Sequence, residues 1–282
     1  MIRASVAKAV RTVNNQLPFL VIPSDFTISW RELLRLKRAP RHTLMRSRLL
    51  GRTIEFTDSA GYLFVYREVL LDQIYRFVAR RSSPFIIDCG ANIGLSLIYF
   101  KYLYPNARVI AFEPDPQNFA VLERNVKAFG LSDVTLHQKA VWNAEADLAF
   151  QATGSLASRV LAESGGTQTI RVSGARLKDY LSEPVDFLKL DIEGAERDVL
   201  LDCGDSLTNV DYLFVEYHGY PGEQQAVGDV LQVIQAAGFR YHIKDAYSVE
   251  HPFVEAQRGG RVPLQLNIFG YREAPDVSPT GQ

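Results

Sequence analysis

A glycine-bearing turn directly after an apolar run is the segment of this chain with the clearest capacity for chemistry. The apolar run 85–87 leads into Asp88-Cys89-Gly90-Ala91-Asn92-Ile93-Gly94, and an apolar segment with helical periodicity follows. A buried strand, a turn and a helix in this order place the turn at the carboxyl edge of a parallel sheet, where open α/β sheets bind nucleotides. Glycine lacks a Cβ atom, so the backbone can turn sharply there and a ligand can approach it closely. The predicted ligand-binding residues of this turn are Asp88, Cys89, Gly90, Asn92 and Gly94.

The residue types of the turn discriminate between nucleoside ligands. Cys89 and Asn92 stand where the dinucleotide fingerprint G-x-G-x-x-G favours glycine. The acid Asp88 suits a ligand that carries an ammonium group better than it suits a pyrophosphate. S-adenosylmethionine has a nucleoside, an amino acid and no phosphate, and it is therefore the predicted cofactor. An NAD-dependent oxidoreductase is the weaker alternative.

A second acid ends the next predicted strand. Glu113-Pro114 follows the apolar segment 109–112. A carboxylate at this position can accept hydrogen bonds from both ribose hydroxyls. The structural alternative is an acid that opposes the dipole of the helix opened by Asp115 and Pro116. Together with the first turn, the pattern predicts that Glu113 binds the ribose and that Pro114 belongs to the cofactor site.

A third polar cluster lies at the end of the predicted fourth strand. Lys189, Asp191 and Glu193 alternate along the segment 186–196 before Gly194 opens a helix. In a doubly wound sheet this strand ends beside the first one, so Asp191 is expected in the cofactor cleft and Glu193 next to it. Simple first-turn helix acids would explain Glu196 but not a lysine in an apolar strand, because a buried lysine needs acidic partners.

The fifth predicted strand ends in Glu216 and His218. With Asp191 and Glu193 this pair could form a hard-metal or a general-base site. The structural alternatives are a hydrogen-bonded histidine that caps the next helix and a glutamate paired with Lys189. Because no compact ligand motif is present, we predict no metal, and Asp191, Glu193 and His218 are the predicted catalytic residues.

Strands alternate with helices from residue 84 onward, which predicts an α/β fold. The architecture expected is a Rossmann-like, doubly wound, mostly parallel sheet with an antiparallel last strand. Predicted strands lie at 85–89, 109–112, 134–137, 185–190, 212–217, 239–243 and 264–270, with a β-rich insert at 140–173 and a helix at 176–182. Residues 1–83 are predicted to form an N-terminal extension of basic helices up to about residue 50, a hairpin of 53–57 with 62–66, and a helix at 69–80. Residues 274–282 are predicted to be a flexible tail.

Composition sets broader limits. The 282 residues carry a net charge of −1 and two cysteines, so no disulfide framework is expected and a cytoplasmic location is predicted. No apolar run is long enough for a membrane span. Eight basic residues between 31 and 52 face a single acid, Glu32. A solvated helix face, an acidic substrate or weak peripheral membrane contact would explain this run, whereas nucleic-acid binding is not expected for a near-neutral chain.

Three motifs in order make the chain resemble a known family. The segments I-I-D-C-G-A-N-I-G at 86–94, A-F-E-P-D-P at 111–116 and D-F-L-K-L-D-I-E-G-A-E at 186–196 resemble the FkbM-type methyltransferases. The resemblance covers about residues 60–273 and implies a Rossmann-like, S-adenosylmethionine-dependent enzyme that methylates oxygen in most members. The segment 176–180 departs from the acidic run that is frequent in the family, which concerns the substrate side.

The sequence therefore predicts a methyltransferase domain at 84–273 that acts on a hydroxyl of a small-molecule or glycan acceptor, with 1–83 as a substrate cover or oligomer contact. The sulfonium already activates the methyl group, so the main task of the protein is to align an oxygen for in-line attack. A non-catalytic nucleoside-binding module remains the alternative from another class. The identity of the acceptor does not follow from the fold.

Overall fold

The computed structural model describes residues 26–152, 159–161, 169–247, 249–257 and 263–273. The helices predicted before residue 26 and the tail predicted at 274–282 lie outside these ranges. The N-terminal part contains α1 (Trp30–Lys37), β1 (Met45–Leu49), β2 (Arg52–Phe56), α2 (Ser59–Tyr66) and a short π-helix, Arg67–Leu71. The helices that follow are α3 (Leu95–Leu103), α4 (Pro116–Phe129), α5 (Glu196–Cys203), α6 (Val227–Ala236) and α7 (Pro252–Gln257). The strands that follow are β3 (Phe85–Cys89), β4 (Arg108–Phe112), β5 (Val134–His137), β6 (Ala140–Trp142), β7 (Asp147–Gln151), β8 (Arg159–Leu161), β9 (Thr169–Arg176), β10 (Val185–Leu190), β11 (Val210–Gly219), β12 (Arg240–Tyr247) and β13 (Leu264–Tyr271).

Seven strands form the central sheet in the order β12-β13-β11-β10-β3-β4-β5. The pairs β11–β10, β10–β3, β3–β4 and β4–β5 are parallel, and β13 is antiparallel to both of its neighbours. Every residue of β3 and β10 is buried, as expected for central parallel strands covered on both faces. The predicted fold class is confirmed, including the single antiparallel strand. The register places Lys189 beside Asp88, so the ends of the first and fourth predicted strands meet as expected.

Helices and loops cover the two faces of the sheet with separate hydrophobic clusters. One cluster joins α3 and α4 to the N-terminal part through residues such as Leu36, Ile54 and Leu97. The other packs α5 and α6 beneath the sheet, and Cys89 belongs to it. The described part of the extension therefore shares its core with the sheet, while the boundary predicted between residues 83 and 84 stays a prediction.

The N-terminal part differs from the prediction in its elements. The hairpin is β1 with β2, joined at Leu50 and Gly51, both of which have positive φ (52° and 73°). The predicted second hairpin strand, 62–66, is helix α2, because Asp58 caps it by accepting the Ala60 N–H. The helix predicted at 69–80 is limited to the π-helix turn, and most of 72–80 is irregular.

The insert forms a second, four-stranded sheet in the order β6-β9-β7-β8. β6 pairs with β9 in parallel, whereas β7 is antiparallel to β8 and β9. The β-rich character predicted for this region is confirmed. The helix predicted at 176–182 is a single 3₁₀ turn, Leu177–Tyr180.

Candidate functional site

One cleft opens at the carboxyl ends of the parallel strands. It encloses about 1270 Å³ of empty space, including its solvent-open mouth. Three parts of the chain contribute to its walls: the first turn and strand ends, the insert, and the N-terminal part. The residues on the strand side are Gly90, Ala91, Asn92, Glu113, Pro114, Lys189, Asp191, Ile192, Glu193, Glu216 and Gln265. Of the predicted site residues, Asp88, Cys89, Gly94 and His218 do not line the cleft.

A buried lysine lies directly beneath the first turn. The Lys189 Nζ atom is 3.3 Å from Asp88 Oδ1 and 3.1 Å from Asp191 Oδ2, and it donates a 2.8 Å hydrogen bond to the Gly90 carbonyl. Burial opposes the charged form, but the two carboxylates hold the pKa of Lys189 well above its usual value. The second carboxylate oxygen of Asp88 accepts a short hydrogen bond from Ser96. Asp88 is fully buried and engaged by the protein itself, so its direct contact with a ligand stays a prediction that no open surface supports.

Gly90 and Gly94 are required for a steric reason that the sequence does not reveal: a Cβ atom at either position would collide with another part of the protein. A Cβ atom on Gly90, whose φ is +92°, would lie 1.9 Å from the Asp191 carbonyl oxygen. A Cβ atom on Gly94 would lie 2.7 Å from Leu122. The thiol side chain of Cys89 is buried in the cluster below the sheet. Asn92 lines the cleft and has a left-handed backbone conformation, with a φ of 49°.

Glu113, the predicted ribose-binding acid, lines the cleft. Its two carboxylate oxygens accept the N–H groups of Asn92 (2.8 Å) and Asp115 (2.9 Å). Burial raises the pKa of Glu113 to about 8, although these two donors favour the ionised form. A carboxylate has about four acceptor positions, so Glu113 can hold the turn and still accept hydrogen bonds from a bound diol. The residue that caps helix α4 is Asp115 and not Glu113, because the Asp115 side chain accepts the N–H groups of Gln117 and Asn118.

The turn after β10 holds Glu193 in a strained backbone conformation. Glu193 has a φ of 57°, a value that non-glycine residues adopt rarely and often at functional sites. The Tyr220 hydroxyl donates a 2.6 Å hydrogen bond to Glu193 Oε2. Glu196 accepts the N–H groups of Ile192 and Gly194, which supports the structural interpretation of Glu196. Burial raises the pKa of Glu193 to about 7, with His218 acting in the opposite direction.

His218 lies in a cage of acids behind the cleft wall. Its Nδ1 atom is 3.1 Å from Glu196 Oε1, and its Nε2 atom lies 3.6 Å from Glu193 and 3.7 Å from Glu216. Burial would lower the pKa of His218, but the hydrogen bond and charge of Glu196, with Glu193 and Asp191, raise it to about 10. The ring is therefore an imidazolium at neutral pH. It can orient and balance the neighbouring carboxylates, whereas a general base would need the neutral form.

Asp191, Glu193 and His218 offer one ligand atom each within 4.8 Å of one another. Such a trio has the geometry for a divalent cation. However, Lys189 already pairs with Asp191, and the imidazolium of His218 faces Glu193. Lys189 and His218 thus neutralise the charges of Asp191 and Glu193 without a metal ion. The absence of a metal stays a prediction.

Glu68 is a cleft residue that sequence reasoning missed. It lies on the π-helix turn Arg67–Leu71, between the strand predicted at 62–66 and the helix predicted at 69–80, and it lines the cleft. Short π-helical turns are frequent at functional sites. Burial raises the pKa of Glu68 to about 7, and the charge of Asp191 contributes. The available signal was an acid between the apolar residues Val65 and Val69, both of which also line the cleft.

Four of the eight basic residues between 31 and 52 make ion pairs or hydrogen bonds within the protein. Arg35 pairs with Glu32, Arg41 with Asp58 and Arg46 with Glu55, while Arg52 donates to the Ala128 carbonyl. Leu36, on the same helix, is fully buried. Among the described residues, no helix has the length and apolar character that a membrane crossing requires. Peripheral membrane contact through residues 31–52 stays a prediction.

Comparison with known proteins agrees with this geometry. A family model described as the methyltransferase FkbM domain matches residues 88–241, more than half of the chain. The chain belongs to the FkbM methyltransferase family. The family resemblance is thereby confirmed, and with it S-adenosylmethionine as the cofactor. Glu68 lies before the matched residues.

Two relatives and one solved structure illustrate the similarity. "Methyltransferase 1" of Beauveria bassiana (strain ARSEF 2860) is 30% identical over 217 residues, which cover 67% of this chain and 83% of the relative. The "31-O-demethyl-FK506 methyltransferase FkbM" of Streptomyces tacrolimicus is 26% identical over 226 residues, covering 67% of this chain and 86% of that protein. The crystal structure of methyltransferase FkbM from Methylobacillus flagellatus KT is 16% identical, with a TM-score of 0.45, and covers 66% of this FkbM-family chain and 44% of that one.

Proposed function

We propose that this FkbM-family chain transfers a methyl group to a hydroxyl of a small-molecule or glycan acceptor. One observation carries the proposal: the first turn, Glu113 and the acids after β10 and in β11 line one continuous cleft. A nucleoside at Glu113 and an acceptor at Asp191 and Glu193 would then share one enclosed space. The 31-O-demethyl-FK506 methyltransferase and a "2-O-methyltransferase NoeI" of Sinorhizobium fredii, 26% identical over 158 residues, support oxygen as the methylated atom.

The donor, when bound, supplies a methyl group that its sulfonium already activates for displacement. The protein has to position the two partners and remove a proton from the acceptor hydroxyl. Glu193 is the proposed base, because it lines the cleft and Tyr220 and His218 hold its carboxylate in place. His218 is proposed as a positioning residue that stays protonated. Asp191, paired with Lys189, is proposed to orient the acceptor.

The described part of the extension, 26–83, is proposed to cover the acceptor. Phe56, Tyr62, Phe64 and Tyr75 contribute aromatic surface to the cleft from this side. An oligomer remains compatible with the same segment. Both cysteines are buried and unpaired, which is consistent with the proposed cytoplasmic location.

Release of S-adenosylhomocysteine in the presence of an acceptor library tests the function, and one variant series tests the roles. Glu193→Gln is expected to lower kcat by a factor of about 10² to 10⁴ while donor affinity stays within about twofold. The exposed Glu123→Gln is the matched control. Wild-type kcat for Glu193→Gln would refute its role as the base. Loss of activity on chelation, with recovery on adding Mg²⁺, would refute the metal-free site.

A further inference from the structure

Glu68 has a carboxylate that the rest of the described chain leaves without a partner. Among the residues described, no side-chain hydrogen bond or ion pair involves it, in contrast to Asp88, Asp191 and Glu193. Its side chain is partly buried and faces the cleft. A buried carboxylate without a partner is unfavourable, so the position is suited to a group that a ligand brings.

The surroundings of Glu68 favour a positively charged group. Asp191 and Glu216 line the same cleft. Burial and the charge of Asp191 raise the pKa of Glu68, while the charges of Arg67 and Lys189 lower it, and the charge of Glu68 contributes to the raised pKa of Glu216. The carboxylates of Glu68, Asp191 and Glu216 thus share the cleft with one ammonium, that of Lys189, which already pairs with Asp88 and Asp191.

An ammonium group would supply what is missing, because it carries one positive charge and three N–H donors. By its residue type and position, Asp88 was the acid expected to face a ligand that carries an ammonium group. In the structure, Asp88 instead pairs with the ammonium of Lys189 at 3.3 Å and is fully buried, away from the cleft. Glu68, by contrast, lines the cleft, and its carboxylate has no ion pair or hydrogen bond among the described residues.

We propose that Glu68 binds a primary ammonium group in the cleft that Asp191 and Glu216 also line. Two sources share this chemistry: the amino-acid end of the methyl donor and an amine carried by the acceptor. The inference rests on the proposed function, since it places a donor and an acceptor in the same cleft. It gives the N-terminal extension a specific role in ligand selection.

Calorimetric binding of two donor-site probes tests the first source. S-adenosylhomocysteine carries the α-ammonium group, and methylthioadenosine lacks the whole amino-acid portion. Glu68→Gln, which keeps the shape of the side chain, is expected to weaken S-adenosylhomocysteine about tenfold or more and to leave methylthioadenosine unchanged. Glu123→Gln serves as the matched control on the exposed face of α4. Equal weakening of both probes by Glu68→Gln would overturn the inference, because it would indicate general damage to the cleft.

A selectivity assay tests the second source. Wild type is expected to methylate amine-bearing alcohols such as glucosamine in preference to their N-acetyl derivatives, and Glu68→Gln to lose that preference mainly through KM. Unchanged binding of both probes, combined with no amine preference that depends on Glu68, would overturn the inference. An equal fall of kcat for amine and N-acetyl acceptors would also overturn it and assign Glu68 as a base. Failure of the proposed function has a different signature, since wild type would then bind neither probe and release no S-adenosylhomocysteine.

Discussion

The acids in and beneath the cleft differ in the groups that hold them. Asp88 and Asp191 share the buried ammonium of Lys189, Glu193 is held by Tyr220, and Glu113 accepts two backbone N–H groups. The sequence predicted that Lys189 needs acidic partners, and this is confirmed. The pairing of Lys189 with Asp88 could not be read from the sequence alone, because it depends on the register between β10 and β3.

Glu113 can be separated from Glu68 by the same two probes. Both S-adenosylhomocysteine and methylthioadenosine carry a ribose, so Glu113→Gln is expected to weaken both to a similar degree. Loss of charge-assisted hydrogen bonds to the diol costs about 2–4 kcal/mol, which corresponds to a factor of tens or more in affinity. Isothermal titration measures the effect, with circular dichroism as the check on folding. Unchanged affinity in a folded Glu113→Gln protein would show that the ribose lies elsewhere.

At the scale of elements, the parallel sheet was predictable and the extension was not. Three of the first four predicted strands, 85–89, 109–112 and 185–190, have the apolar run and polar end of a buried parallel strand, whereas 134–137 is only partly buried. The structure contains all four close to the predicted bounds. The hairpin was wrong because its turn, Leu50-Gly51, lacks the Asn-Gly or Asp-Gly signal of tight hairpins. The turn predicted at 58–61 is a helix start, and Tyr62 and Tyr66, four residues apart, are both buried on one face of α2.

A comparison of Gly90 with Gly222 separates two costs of replacing a glycine: the collision of the new side chain and the strain of a left-handed backbone. Gly90 and Gly222 have nearly the same φ, +92° and +91°, but a Cβ atom would meet the Asp191 carbonyl at Gly90 and nothing within 4 Å at Gly222. Both alanine variants incur the cost of a left-handed backbone, about 1–2 kcal/mol. Gly90→Ala should lose a further 2 kcal/mol or more, by order of magnitude, because two strand ends must move apart.

Urea unfolding of the two glycine variants measures this difference. Equal losses of stability for Gly90→Ala and Gly222→Ala would mean that the strand ends separate without cost.

At the scale of the whole molecule, burial of acids makes stability depend on pH. The pKa values of Glu68 and Glu193 are raised to about 7, and those of Glu113 and Glu216 to about 8. A carboxyl with a raised pKa binds a proton in the folded state over a range where the unfolded chain has lost it. Its favourable contribution is therefore complete below about pH 4.5 and is lost as pH rises through the folded pKa. His218 acts in the same direction between about pH 6.5 and 10, while the lowered pKa of the partly buried His137 acts in the opposite direction.

The melting temperature of the ligand-free protein is accordingly expected to fall by several degrees between pH 5.5 and pH 9. Glu216→Gln should reduce this fall, because it removes one buried group that ionises in that range, whereas Glu123→Gln should leave it unchanged. Differential scanning calorimetry across the range provides the measurement. A melting temperature that rises with pH would show that these carboxyls are not held in their neutral form.

The position of β13 also has a consequence for how the molecule is made. Residues 264–271 lie late in the chain, yet β13 enters the sheet between β11 and β12 and pairs with both. Gln265, on this strand, donates to Glu216 in the cleft. When the chain has left the ribosome only as far as residue 260, β11 has an open edge and Glu216 lacks the hydrogen bond from Gln265. Until residues 264–271 have left the ribosome, the nascent protein therefore has the first turn and Glu113 but an incomplete sheet. The open edge of β11 is the place where a chaperone or a neighbouring nascent chain would add a strand.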